Sequence, residues 1–413
     1  MQIVILNQYA LPAGSAGITR HGDLGAELVR RGHGVTVIAS SFDYLKRRPG
    51  TSIEVGRTGG VRFALLQTGN YTANDSRRVR SMGRYAAAAL WSAVRLRPRP
   101  DVIIGSSPHL LAALSASLIA RLTRRPWVFE VRDFWPSALV DLGAIPRGGR
   151  VQAGLERLER QLYSDAQAIV TVPPNGRLRL DELGVDSTKC VHIPNATALV
   201  AQSGSGIAPS IVQVLDELRD MFLIIYAGAL GVTHDLDSVL AALAQLRMDR
   251  PHAYERVALL LVGDGVARGR IVQSARDMQL ENVRFHAAIE KAEIPPLLDR
   301  ADACLMQAGA SDYFKYGLSP NKLFDYFAAG KPVLISSAYP TIVDEAHAGL
   351  RFEPGDPAAL AEAIVRMMEL APEERDRMGE RGRQLVQMRY SIPRIADQYE
   401  DLLREVVRTG QRR

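Results

Sequence analysis

The chain has 413 residues, enough for two large domains or about three average ones. A hydrophobic share of 47% with 23% charged residues excludes an intrinsically disordered chain, and only two cysteines, Cys190 and Cys304, exclude a disulfide scaffold and fit a reducing compartment. The net charge of +6 is too small for a surface built throughout to hold nucleic acid, and no Cys/His cluster has zinc spacing.

Taken in chain order, residues 3–6 are apolar, follow no basic leader and read as a buried strand rather than a signal peptide. A turn, Pro12-Ala13-Gly14-Ser15-Ala16-Gly17, leads to a helix expected over 16–30. Further strands are expected at 35–39, 61–66, 102–105, 127–131, 169–172 and 191–193, with helices over 78–95, 110–121 and 151–163. Continuously apolar strands alternating with helices predict a parallel sheet covered on both faces. Small and Gly/Ser residues over 197–209 read as a linker. The pattern then restarts, with strands at 222–227, 257–262, 283–287, 303–306 and 333–335 and helices at 237–246, 322–329 and 358–369. A last amphipathic helix, 392–408, either closes the second domain or crosses back to the first. The expected division is 1–197, a linker 198–214, and 215–391, with 392–413 packing back on the first domain. No apolar run is long enough to span a membrane.

Open parallel sheets bind ligands at the carboxyl ends of their strands, so the turns there are the candidates. Gly14 and Gly17 let backbone amides approach an anion at a helix start, although the spacing matches neither a dinucleotide nor a Walker loop. Gly228 and Gly231 repeat the arrangement after strand 222–227. Asp235-Leu236-Asp237 is either a metal-type D-x-D or a pair of first-turn acids. Gly263-Asp264-Gly265 ends strand 257–262 as a turn or as a pocket wall. In Tyr316 to Pro332, Ser319 or Asn321 is placed to cap a helix and Gly330 to end it. There Lys322 could meet a phosphate and Asp325 could accept ribose hydroxyls, or Asp325 is simply solvated. Arg132-Asp133, after strand 127–131, faces a ligand or forms an ion pair holding its loop. His21, four residues after Gly17, points to a ligand or into the core.

These segments resemble the retaining GT-B glycosyltransferases of glycosyltransferase family 4, over nearly the whole chain. The match is carried by the N-terminal glycine loop, by residues 31–37 (Arg-Gly-His-Gly-Val-Thr-Val), by Val262-Gly263-Asp264-Gly265 and by 319–333. Glu130-Val131-Arg132-Asp133-Phe134-Trp135-Pro136 and Gly17-Ile18-Thr19-Arg20-His21 are most similar to the fucosamine-transferase-like group that builds O-antigen, capsule or exopolysaccharide. The resemblance implies two Rossmann-like domains with parallel sheets facing across a cleft. It implies a nucleotide-sugar donor, UDP-linked, with no cofactor and no required metal, and retention at the anomeric carbon. Gly228, Gly231, Gly263, Asp264, Gly265, Ile289, Ser319, Asn321, Lys322, Leu323 and Asp325 would hold the donor, with Gly14 and Gly17 lining the other side. Asp133, Arg132 and His21 would face the acceptor and the reacting centre. Two departures stand out. Gly317 replaces the first Glu of the family's Glu-x7-Glu element, whose second acid is Asp325. The Arg and Lys that many members carry after the Gly228-type loop give way to Gly231, Thr233 and His234.

The basic charge is concentrated in one end. Residues 1–100 hold 15 Lys/Arg and 5 Asp/Glu, a balance of +10, against −4 for the rest. Arg77, Arg78, Arg80, Arg84, Arg95, Arg97 and Arg99 bracket an apolar, Trp-containing stretch. This suits either an anionic membrane surface or an ordinary solvated helix face; no nucleic-acid signature accompanies it. The expectation is therefore a peripheral enzyme on the cytoplasmic face of a membrane, transferring sugar to a polyisoprenyl-diphosphate-linked saccharide. The alternatives are a nucleotide-sugar 2-epimerase, which needs a richer acid/base set, and a catalytically silent GT-B partner.

Overall fold

The computed structural model describes residues 1–15, 17–43, 48–49, 56–71, 76–93, 95–198 and 206–410. Residues 199–205 of the expected linker, Ala16 and the last three residues lie outside these, while the end of that linker is already helical, in Pro209–Glu217. The chain divides into two compact units: 1–195, 315–319 and 392–413, and 196–314 with 320–391.

The first unit is built on an eight-stranded sheet. Its strands are β1 (Gln2–Leu6), β2 (Gly34–Ser40), β3 (Gly56–Thr58), β4 (Val61–Leu66), β5 (Val102–Ser106), β6 (Trp127–Val131), β7 (Ala168–Thr171) and β8 (Cys190–His192). Their order is β8-β7-β6-β5-β1-β2-β4-β3, all parallel except the edge strand β3, which sequence reading missed. β5 and β6 are buried along their whole length, as an apolar run covered on both faces requires. The second unit has six parallel strands: β9 (Phe222–Ala227), β10 (Val257–Val262), β11 (Val283–His286), β12 (Ala303–Met306), β13 (Val333–Ser336) and β14 (Gly349–Phe352). They are ordered β11-β10-β9-β12-β13-β14. The edge strand β14 was not expected, because Gly349-Leu350-Arg351-Phe352 is neither continuously apolar nor strictly alternating. In both sheets the strand order reverses beside the first strand of the unit, at β1/β5 and at β9/β12. Carboxyl-end crevices form at such reversals.

Helix α1 (Arg20–Arg30) begins four residues later than the glycine turn suggested. Gly17 has φ +118°, outside helical space, so the chain turns once more before winding. Helix α2 (Ser76–Ala93) buries Met82, Tyr85 and Ala89, spaced three and four apart, and leaves Val79 and Trp91 exposed. Helix α3 (Leu110–Thr123) packs against it. Helix α4 (Asn321–Ala328) buries Leu323, Phe324, Tyr326 and Phe327. The last helix, α5 (Ile392–Gly410), buries Ile395, Ala396, Tyr399, Leu403 and Val406 and belongs to the first unit, where it packs on α1. Arg31 fixes that contact through Asp397 and Glu400, and His33 pairs with Glu400 at 3.0 Å.

Candidate active site

In the second unit, Gly228, at the end of β9, has φ +153°. A Cβ at Gly263 would sit 1.8 Å from the Gly228 carbonyl oxygen, and one at Gly265 would sit 2.4 Å from that of Leu230. The two carboxyl-end turns therefore interlock backbone to backbone, and only glycine permits it. The amide of Leu230 donates to the Asp264 carbonyl, while the exposed Asp264 carboxylate accepts from the Gly265 amide. Gly231 precedes a short 3-10 turn, Val232–His234. Asp237 pairs with Arg270 and Asp235 accepts from Ser238, so each acid of the D-x-D already has a local partner. Ile289 is half-buried in the segment after β11.

Lys322 reaches this place from the first turn of α4. Its amine donates to the Tyr226 hydroxyl at 2.6 Å and lies 3.9 Å from the centroid of that ring. A Cβ on Gly228 would meet the Lys322 Nζ at 2.8 Å, so the missing side chain is the space the amine occupies. Burial alone pushes the Lys322 amine down to about 7. The His234 ring lies 6.2 Å from that of Tyr226, edge to face. Burial, with Lys322 nearby, pushes the imidazole down to about 4. Asp325, half-buried one turn after Lys322, accepts from the Thr197 hydroxyl at 2.7 Å. Leu323 is a core residue and Asn321 is exposed.

The expected cap is not made. The N-cap of α4 is Pro320, no side chain caps the helix, and the Ser319 hydroxyl accepts instead from the Asn195 amide. Residues 315–319 belong to the first unit. There the Asn175 amide donates to the Tyr316 carbonyl, Lys315 and Tyr316 both bond Glu182 at 2.6 Å, and the Asn195 side chain donates to the Ser319 carbonyl. Gly317 has φ +91°, and a Cβ there would strike Pro174 Cγ at 2.3 Å. A glutamate at this point, such as the resemblance implies, has no room here: it would need a strained backbone and a displaced Pro174.

In the first unit, Gly14 (φ +82°) and Gly17 form the turn between β1 and α1. Gly14 has open space where a Cβ would stand. Gly22, which sequence reading passed over, lets α1 lie against that turn: a Cβ there would be 2.5 Å from the Ala13 nitrogen. His21 is fully buried and hydrogen-bonds Glu130 at 2.7 Å. Glu130, at 0% exposure, is the centre of the cluster. It also takes the Arg20 guanidinium at 3.1 Å, the Ser106 hydroxyl at 2.8 Å and the Tyr399 hydroxyl. Burial would raise its pKa, but Arg20, His21 and Arg132 overcome this and hold the carboxyl well below the usual range. Burial likewise keeps His21 below its ordinary value despite Glu130. Arg20 also donates to the Ile193 and Pro194 carbonyls. The amides of Arg132 and Asp133 both donate to the Ser107 hydroxyl, at 2.8 and 3.3 Å, which fixes the loop after β6. Asp133 is exposed and Arg132 half-buried, while the Phe134 ring lies 4.8 Å from that of Tyr316. The structure thus groups His21 and Arg132 around Glu130, a residue the sequence marked only as part of a resemblance.

Residues 16–196 match a "Glycosyl transferase 4-like domain" and residues 222–370 match "Glycosyl transferases group 1". A colanic acid biosynthesis glycosyl transferase of Escherichia coli, WcaI, is 26% identical over 64% of this chain and 64% of its own length. The glycosyltransferase WbjE of Pseudomonas aeruginosa is 25% identical over 71% of this chain and 72% of its own. Among solved structures, sucrose-phosphate synthase of Thermosynechococcus elongatus superposes with TM-score 0.78 at 19% identity, covering 99% of both chains. HepE of Anabaena, in complex with UDP and glucose, gives 0.67 at 16% identity over 98% of this chain and 100% of its own. With a Gly-rich carboxyl-end turn in each of two units and these matches along most of its length, the chain belongs to the GT-B glycosyltransferases of family 4.

Proposed function

We propose that this glycosyltransferase takes a UDP-linked sugar in its second unit and transfers the glycosyl group, with retention and without an essential metal, to a polyisoprenyl-diphosphate-linked saccharide. The observation that carries the donor half is the interlocked Gly228/Gly263/Gly265 turn with the Lys322 amine resting on it. Backbone amides and one amine at a carboxyl-end crevice suit a diphosphate, and Asp325 is one helical turn away for ribose hydroxyls. HepE was solved with UDP-glucose, which favours the same donor class here. Charge building on the leaving diphosphate is what these groups would stabilise. The loop of Arg132 and Asp133, pinned by Ser107, would present the acceptor, with His21 positioning through Glu130.

The lipid-linked acceptor and a cytoplasmic membrane location rest on α2. Trp91 is 63% exposed with the Arg95 guanidinium 3.7 Å over its ring, and Arg77, Arg80 and Arg84 are exposed along the same helix. Leu122, 67% exposed, stands on the adjoining α3. Such an aromatic and arginine face suits anionic lipid headgroups. No helix among the described residues is long and apolar enough to cross a membrane.

The test is incubation with labelled UDP-sugars and a lipid-diphosphate saccharide, with and without a chelator. Label in the lipid, with the donor's anomeric configuration by NMR, supports the reading. Free isomerised nucleotide-sugar would replace it with an epimerase, and nucleotide binding without turnover with a silent partner. For the surface, Arg77, Arg80 and Arg95 to Glu should release the chain from anionic vesicles; unchanged co-sedimentation refutes the membrane face.

A further inference from the structure

An ammonium group buried without a carboxylate is costly, so such a lysine sheds its proton unless an anion arrives. Lys322, half-buried, comes close to that position. Its amine contacts a phenol hydroxyl at 2.6 Å, a ring face at 3.9 Å and the bare backbone of Gly228. The titratable groups around it are Tyr226 from β9, His234 from the turn after Gly231, and Asp325 and Tyr326 on its own helix. Burial raises Tyr226 out of reach of neutral pH and keeps His234 neutral there. The Asp325 carboxylate is engaged with Thr197, and the Tyr326 hydroxyl lies between the amide and carbonyl of Ala227. Among the described residues Lys322 makes no ion pair, and burial is the one influence on its basicity.

We propose that Lys322 binds the donor diphosphate by taking up a proton from solvent, so that the nucleotide, not the protein, supplies the counter-charge for this amine. The balance is one proton gained on Nζ per nucleotide bound, with no bond to carbon made or broken. The inference rests on the reading of the Gly228 turn as the donor site and goes beyond it in assigning the protonation change. An arginine there would be charged at all times. Lysine lets the empty pocket stay uncharged and become cationic only when a diphosphate fills it. The sign follows directly. The free amine is protonated below about 7, and a diphosphate beside it would keep it protonated well above that. Nucleotide affinity is therefore greatest below that point and falls as pH rises through it, approaching tenfold per pH unit.

The experiment is calorimetric titration of UDP into the full chain at pH 8 and pH 6, in buffers of widely different ionisation enthalpy. The expected uptake is about 0.8 proton per UDP at pH 8 and near zero at pH 6, the difference the linkage relation gives for such a lysine. Lys322→Arg should keep UDP binding but remove the uptake at pH 8, which also subtracts any proton taken by UDP itself. Lys322→Met should weaken binding about tenfold or more and likewise show no uptake. Both variants should unfold at the wild-type midpoint. UDP binding with no buffer dependence, or with equal uptake in Lys322→Arg, would overturn the inference and leave the donor site standing. No UDP binding by the wild-type chain would overturn both.

Discussion

The carboxyl ends of the two sheets hold cations in opposite ways. In the first unit, Arg20 is buried against Glu130, which also receives His21, Ser106 and Tyr399. In the second, Lys322 is half-buried against a phenol and a ring face. A charge already neutralised by a buried carboxylate has little left for a ligand, and removing its partner is expensive. A cation without such a partner is raised in energy until an anion comes. The first cluster therefore reads as a support: it ties α1, β6 and the last helix together under the loop of Arg132 and Asp133. The second reads as a binding group.

The sharpest way to break this comparison is Glu130→Gln. It leaves Arg20 buried without its carboxylate and should lower stability by about 3–5 kcal/mol in denaturant titration. A loss within error of zero would mean the first cluster is no support. The same carboxylate gives a pH test. Its folded value lies below that of an unfolded glutamate, so its contribution is complete above about pH 4.3 and is lost as pH falls through the folded value. Acid should therefore destabilise the wild type more than Glu130→Gln. Next in size is Gly263→Ala, whose Cβ would collide with the Gly228 carbonyl. We expect a cost of about 1–3 kcal/mol and loss of nucleotide binding; normal UDP affinity would show that the two turns need not interlock. Asp325→Ala should weaken UDP about tenfold, or about 1.4 kcal/mol, with little change in melting temperature. Unchanged affinity by calorimetry would remove the ribose role and leave Asp325 as a partner of Thr197. The smallest effect belongs to Tyr399→Phe, which deletes one hydroxyl from Glu130 and should cost about 1 kcal/mol in stability while leaving UDP affinity alone. A change in UDP affinity there would join clusters that the comparison keeps apart.

Much of the fold was legible because it is written locally. Apolar runs such as Val102–Ser106 and Val257–Val262 announce buried parallel strands, and glycines at strand ends announce turns. Glycine at 228, 263 and 265 marked two turns at strand ends, but their close approach, backbone against backbone, was invisible. Gly317 marks the limit. Its departure from the family pattern was plain in the sequence, but the Pro174 ring that leaves a glutamate no room was not. The helix start at Ser319-Pro320-Asn321 was read as a side-chain cap, because capping is decided within four residues. The chain instead spends the Ser319 hydroxyl on Asn195, 124 positions away.

By itself the sequence determined the alternation of strands and helices, the glycine-bearing turns at strand ends and the concentration of basic charge in the first hundred residues. These follow from periodicity, backbone freedom and composition, properties a residue carries with it. Only the tertiary structure decided which charges are paired. Arg20 meets Glu130 across 110 residues, Tyr399 meets it across 269, and Lys322 meets Tyr226 across 96. Whether a buried cation is neutralised or waiting depends on what the fold sets beside it, and spacing along the chain holds no information about that.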